Sequence, residues 1–191
     1  MVTTRNTRDD VIEAAGRLFA DRGYHGTSMR DLGKELGLLG SSLYAHVSSK
    51  QDLLVGVVAE GARLFEGSAD TALAVEGSAS DRLRTLVGGH VDVVIDNIEV
   101  ARTFLNEARM LDPEHRKRIL DARDHYEGAF REVIRQGVAD GSFRPDVDPK
   151  ISSIFILSVL NAIERWYDPE GTLDRASLVD AMFGFFLAGL S

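Results

Sequence analysis

The chain has 191 residues, 44% hydrophobic and 27% charged, which is ample for a buried core and excludes a disordered, collagen-like or proline-rich polymer. It contains no cysteine, so disulfides, thiolate nucleophiles and Cys-ligated metal centres are excluded and a reducing cytoplasm is the expected compartment. The formal charge is -8, yet residues 1–55 hold seven basic and seven acidic side chains, so the whole deficit falls in residues 56–191. A polyanion is repelled by the larger part and tolerated by the smaller one.

Along the chain, Val11, Ala14, Ala15, Leu18 and Phe19 recur with helical period, and Gly23 supplies a stop after Arg22. Thr27 or Ser28 caps a short second helix that buries Met29, Leu32 and Leu36, and Gly37 ends it in a left-handed conformation. Leu39, Leu43 and Val47 form the single apolar edge of a third helix, with Ser41, Ser42, Tyr44, Ala45 and His46 facing elsewhere. Ser49-x-x-Asp52 reads as a capping box opening a long fourth helix with Leu53, Leu54, Val57, Val58, Leu64 and Phe65 inward. Gly77-Ser78-Ala79-Ser80 is the most linker-like stretch, and Ser80 is positioned to cap a fifth helix that carries His90.

A sixth helix runs from about Ile98 to Ala108 with Phe104 and Leu105 inward, and Asp112-Pro113 restarts the chain. The seventh buries Ile119, Ala122, Tyr126, Ala129, Phe130 and Val133 and ends at Gly141. Asp148-Pro149 opens an eighth helix that continues through Trp166 to a break at Pro169 and Gly171. Asp174 opens a ninth that is apolar over much of its circumference. No alternating strand pattern or fixed-period repeat is evident, so the expected fold is all-α with about nine helices. The apolar stretches at 154–163 and 181–190 fall short of the roughly 18 residues of a membrane span, and no apolar signal-peptide run opens the chain.

Residues 27–47 thus hold two short helices joined at Gly37, the form of a helix-turn-helix whose second helix enters the DNA major groove. Ser41, Ser42, Tyr44 and His46 have the hydrogen-bonding capacity to meet phosphates or base edges, and Gly40 permits close backbone approach. Lys50, in the first turn of the fourth helix, opposes the helix dipole. Its charge therefore has no local use and makes sense beside an external anion.

Gly23, Thr27, Leu32, Gly37, Leu43, Tyr44, His46, Ser49, Lys50 and Leu53, at their present spacing, resemble the N-terminal domain of TetR-family transcriptional regulators, and the helical remainder extends the resemblance over the whole chain. The resemblance implies a DNA-binding domain over residues 1–55 and an effector-binding and dimerisation domain over 56–191. It implies that residues 39–46 are the recognition helix and that Thr27, Ser42, Tyr44 and Lys50 touch phosphates. The interface so implied comprises Thr27, Ser28, Arg30, Leu39, Gly40, Ser41, Ser42, Tyr44, His46 and Lys50. Leu39 stands where relatives carry a Ser or Thr cap, Gly40 where many carry Lys, and Val47 where Phe is usual.

In such a regulator the last two helices of each subunit form a four-helix dimer interface, and the width of the apolar face on the ninth helix independently calls for a partner. A two-fold dimer places its recognition helices about 34–36 Å apart on a palindromic duplex operator. Candidates for a small-effector pocket are Phe65, His90, Phe104, Arg109, His125, Tyr126, Phe130 and Trp166. Residues 141–148, with Phe143-Arg144-Pro145-Asp146, and Arg165-Trp166-Tyr167 look similar to a subgroup responding to acyl-CoA thioesters. The resulting expectation is a ligand-released repressor that is not an enzyme and needs no cofactor or metal.

Two other readings stay open on sequence alone. A ferritin-like metal oxidase needs Glu-x-x-His pairs, and none of the five histidines stands three residues after a glutamate; Asp112-x-x-His115 comes nearest. A helical interaction module would keep the fold without contacting DNA.

Overall fold

Side-chain oxygens decide where the helices begin. The computed structural model describes residues 7–38 and 40–191, so Leu39 lies outside the described residues. Among the described residues the fold is all-helical: α1 (Arg8–Gly26), α2 (Met29–Glu35), α3 (Gly40–Leu43), α4 (Lys50–Leu73), α5 (Ala79–Asp96), α6 (Ile98–Glu107), a 3-10 turn (Ala108–Met110), α7 (Pro113–Asp140), α8 (Pro149–Asn161), α9 (Ile163–Trp166) and α10 (Arg175–Leu190). Thr7, Ser28 and Ser78 each cap a helix reciprocally, the hydroxyl accepting from the N3 amide while the N3 aspartate accepts from the cap amide. Asp148 and Asp174 accept from the first free amides of α8 and α10.

Local details depart from the sequence expectations at three places. The cap of α5 is Ser78, not Ser80, because the acidic residue needed for a reciprocal pair is Asp81, three residues on. Before α4, Ser49 Oγ accepts from Asp52 N at 3.0 Å, but the Asp52 carboxylate takes the Ser48 amide at 3.0 Å. The bond that would close a box at Ser49 is thus made one residue earlier. The expected eighth helix is divided at Ala162, where the backbone tightens and the Arg165 amide bonds the Ala162 carbonyl at 3.0 Å, so α8 and α9 are separate.

The helices form two compact units. The first comprises residues up to 62 together with 99–120. Its core holds Val11, Ala15, Phe19, Leu32, Leu43, Leu53 and Val57, all essentially inaccessible. The segment 99–120 enters this core through small residues. Gly16 lies beneath Val57 and Val100, and a Cβ on Gly61 would stand 2.6 Å from Phe104 Cβ. The second unit comprises 63–98 and 121–191, with Phe65, Leu83, Leu86, Phe130, Ile134 and Leu160 inside. Here α10 lies along α5, and Arg175 reaches Asp92 at 3.0 Å and also bonds Asp96.

Phe104 Cβ is fixed to its own helix backbone and cannot swing aside for a methyl group on Gly61. Alanine gains about 1 kcal/mol in helix propensity, and overpacking costs about 1–3 kcal/mol. Gly61→Ala is therefore expected to lower stability in urea unfolding despite its better helix propensity.

Candidate functional site

The turn between α2 and α3 is built from main-chain bonds. Gly37 (φ 64) follows the cap residue Leu36, its amide donating to the Lys34 carbonyl at 3.2 Å, and the Leu38 amide donates to the Gly33 carbonyl at 2.8 Å. This pair of bonds is a Schellman termination, and only glycine adopts the required conformation at no steric cost. Gly33 is constrained as well, since a Cβ there would stand 3.0 Å from the Leu38 carbonyl oxygen.

After the turn, α3 provides one helical turn and the chain continues in i to i+3 bonds, Ala45 to Ser42 and His46 to Leu43. Leu43 and Val47 anchor one side of the segment in the core, while Tyr44 remains 56% exposed and Ser42 and Ala45 face out. Arg30, Lys34, Gly37, Leu43 and Tyr44 line a surface groove of about 580 Å³ between α2 and this segment. Ser28 and Arg30 are exposed, and His46 is half-buried. Gly40 and Ser41 belong to α3.

Thr27 and Lys50 sit at a corner rather than on the open face. Thr27 is buried, with its hydroxyl 3.1 Å from the carbonyl oxygens of Leu18 and Gly23. The Lys50 ammonium donates to the Thr27 carbonyl at 2.6 Å and stands 4.1 Å from the centre of the Tyr24 ring. Burial pushes its pKa below the ordinary lysine value. The expectation that Lys50 has no local use is thereby corrected. A backbone acceptor and an aromatic face both hold the cation.

Tyr24 and Gln51 complete this corner and had no signal in the sequence reading. The Tyr24 hydroxyl donates to Gln51 Oε1 at 2.9 Å, and Gln51 Nε2 donates to the Met110 carbonyl at 3.4 Å. Their roles depend on three chain segments meeting, which no local spacing reports.

The eight effector candidates divide between the two units. Phe104 and Arg109 belong to the first compact unit, where Phe104 is packed and Arg109 exposed on the 3-10 turn. In the second unit His125 is exposed, and Trp166, 52% exposed, rests edge-on to Tyr167. Phe65, His90, Tyr126 and Phe130 do converge. Phe65 lies 5.0 Å from His90 and 5.3 Å from Tyr126, and Tyr126 lies 5.5 Å from Phe130, measured between ring centres.

His90 is fully buried in this cluster, and its Nδ1 is 3.1 Å from the Tyr126 hydroxyl. Burial holds His90 down to about 3 and pushes Tyr126 up, so both are uncharged near neutral pH. Ser68, missed by the sequence reading, adds a buried Oγ close to the Tyr126 hydroxyl but outside hydrogen-bond geometry. Asp112 caps α7 through the His115 amide at 3.0 Å and bonds the His115 ring at 2.7 Å, so this metal-like pair serves a helix start. Among the described residues no three His, Asp or Glu side chains gather as a metal site.

A further surface belongs to α8 and α10. Phe155 and Phe185 are 66% and 71% exposed and, with Val159, line an apolar groove of about 410 Å³; Ile151 and Ile154 on α8 are also uncovered. Among the described residues no helix is long and apolar enough to cross a membrane.

This arrangement of a glycine-turned helix pair and a helical second unit agrees with comparisons of sequence and fold. Residues 11–57 match the model of bacterial regulatory proteins of the tetR family, and residues 76–190 match that of the tetracyclin repressor-like C-terminal domain. The chain belongs to the TetR family and is a DNA-binding transcriptional regulator, not an enzyme. Among its relatives is the HTH-type transcriptional repressor KstR2 of Mycolicibacterium smegmatis, 27% identical over 96% of this chain and 90% of that protein. Its fold is similar to PfmR of Thermus thermophilus, at TM-score 0.87 and 31% identity over 95% of this chain and 98% of that one. It is similar also to AibR in complex with isovaleryl coenzyme A and operator DNA, at TM-score 0.86 and 28% identity over 93% and 96% of the two chains.

The burial of neutral His90 makes stability depend on pH with a definite sign. Its folded pKa of about 3 lies below the unfolded value near 6.5, so below pH 6.5 the unfolded chain takes up a proton that the native chain refuses. Stability is lost as pH falls from 6.5 toward 3, by about 2 kcal/mol at pH 5. Urea unfolding at pH 7 and pH 5 is expected to show this loss, and His90→Phe to remove most of it.

Proposed function

We propose that the chain is a homodimeric repressor that occupies a palindromic operator and is released by a small effector of the acyl-CoA thioester class. Residues 1–55 read the operator and residues 56–191 bind the effector and pair the subunits. The observation that carries the DNA reading is the segment around α3. Leu43 and Val47 lock one face of it into the core, so Tyr44 and Ser42 are held outward beside the groove edged by Arg30 and Lys34. Ser28, Arg30, Gly40, Ser41, Ser42, Tyr44 and His46 then meet the duplex, with Leu39 beginning the recognition segment. Thr27 and Lys50 set the corner from which it projects, their mutual bond leaving the remaining ammonium protons for a phosphate.

Pairing through α8 and α10 is supported by the uncovered apolar face centred on Phe155 and Phe185. A two-fold axis through that face brings two recognition segments to one palindrome. Repression and the effector class are supported by relatives: KstR2 is a repressor, and AibR is known with isovaleryl coenzyme A and operator DNA. Effector and operator compete by population shift, the effector favouring the conformation that fits DNA less well. Such a regulator works in the cytoplasm beside its operator.

Gel-shift titration with genomic fragments tests the reading. Tyr44→Phe is expected to weaken operator binding about tenfold by removing one phosphate hydrogen bond, with its salt dependence unchanged. Arg30→Ala is expected to lower the slope of log affinity against log salt by about one. Phe185→Glu is expected to yield a folded monomer by native mass spectrometry and to abolish operator retention. Operator affinity unchanged in all three variants would refute the assignment.

A further inference from the structure

The second unit encloses polar atoms that its own side chains do not satisfy. His90 Nε2 and Ser68 Oγ are both buried without a hydrogen-bond partner, in a cluster otherwise made of Phe65, Phe130 and the ring of Tyr126. A buried polar group left unmatched weakens the fold, whereas a phenylalanine or leucine of similar volume carries no such penalty.

The protonation pattern of the pair follows from counting hydrogens. The ring of His90 is neutral, so it has one N–H and one lone pair, and Nδ1 meets the Tyr126 hydroxyl at 3.1 Å. If Nδ1 carried the hydrogen, the tyrosine hydrogen would have only Ser68 Oγ to turn to, which lies close by but outside hydrogen-bond geometry. If Tyr126 donates to Nδ1, its hydrogen is placed and Nε2 carries the ring N–H. The second arrangement leaves fewer groups unmatched, and it presents Nε2–H and the Ser68 hydroxyl as donors. The Leu160 carbonyl lies close enough to favour ring protonation slightly, yet Nε2 makes no hydrogen bond.

The geometry points to His90 Nε2–H, oriented by Tyr126 and assisted by Ser68, as the donor site for the uncharged carbonyl oxygen at the head of an apolar acyl chain. This deepens the proposed function and rests on its placing of a small effector in residues 56–191. Aromatic walls suit the hydrocarbon around such a group, and neutral donors suit a thioester or ketone. A carboxylate buried against them would lack a cation. Tyr126 is a positioning residue here, because it acts by fixing which nitrogen of His90 bears the hydrogen.

The test uses two probes that differ in one group: decanoyl-CoA and S-decyl-CoA, in which a methylene replaces the thioester carbonyl. Calorimetric titration of the purified full chain is expected to show about tenfold tighter binding of decanoyl-CoA. His90→Phe and Tyr126→Phe should each bring that ratio close to one, with S-decyl-CoA affinity and operator affinity retained. Tyr126→Phe keeps the buried ring and carries the test should His90→Phe fail to fold. Equal binding of the two probes by the wild-type chain, or a ratio unmoved by the variants, overturns the inference and leaves the effector class standing. Failure of both probes to bind, with operator binding intact, overturns the effector class and the inference together.

Discussion

The contact on which the corner between α1, α2 and α4 depends is the Lys50 ammonium seated on the Thr27 carbonyl and over the Tyr24 ring. A cation in the first turn of a helix is unfavourable by itself, because the free amides there already carry partial positive charge. The carbonyl and the aromatic face offset that cost, and in doing so they tie the start of α4 to the junction of α1 and α2. The buried Thr27 hydroxyl fixes the same junction from the other side. The α2 turn and the segment after it are hung from a corner whose polar groups are matched, so their outward residues are held in position by the fold itself.

The two units divide the chemical work differently. In the first, polar groups are paired within the protein: capping aspartates on serine and threonine, Gln51 on Tyr24, Lys50 on Thr27. In the second, pairing is left incomplete at the donors beside Tyr126, and the apolar face of α8 and α10 is uncovered. Incomplete satisfaction is where a folded chain exposes its need for something else. One of these places is small, polar and enclosed; the other is broad, apolar and open. The first corresponds to the proposed effector contact and the second to the proposed pairing of subunits.

Much of this was legible in the sequence where the cause is local. Gly37 ends α2, Asp148-Pro149 opens α8 and Asp174 opens α10, because each depends on a few neighbouring dihedral angles and one side-chain oxygen. The slip from Ser78 to Ser80 arose inside a serine-rich stretch, and Asp81 three residues on was the signal that separates them. Nonlocal facts were not legible. The partner of Lys50 lies 23 residues away and that of Gln51 59 residues away, and neither spacing has a helical or capping meaning. The close seat of Phe104 was not legible either, because it depends on the absence of a side chain at Gly61.

The α2 turn is closed by main-chain bonds from Gly37 and Leu38, and among the described residues beyond it Leu43 and Val47 are the ones buried in the core. Folding therefore asks almost nothing of Ser42, Tyr44 or Ala45. Gene copies that inherit this scaffold are free to rewrite those positions without first losing order, so the outward chemistry of the segment can drift while its frame stays fixed.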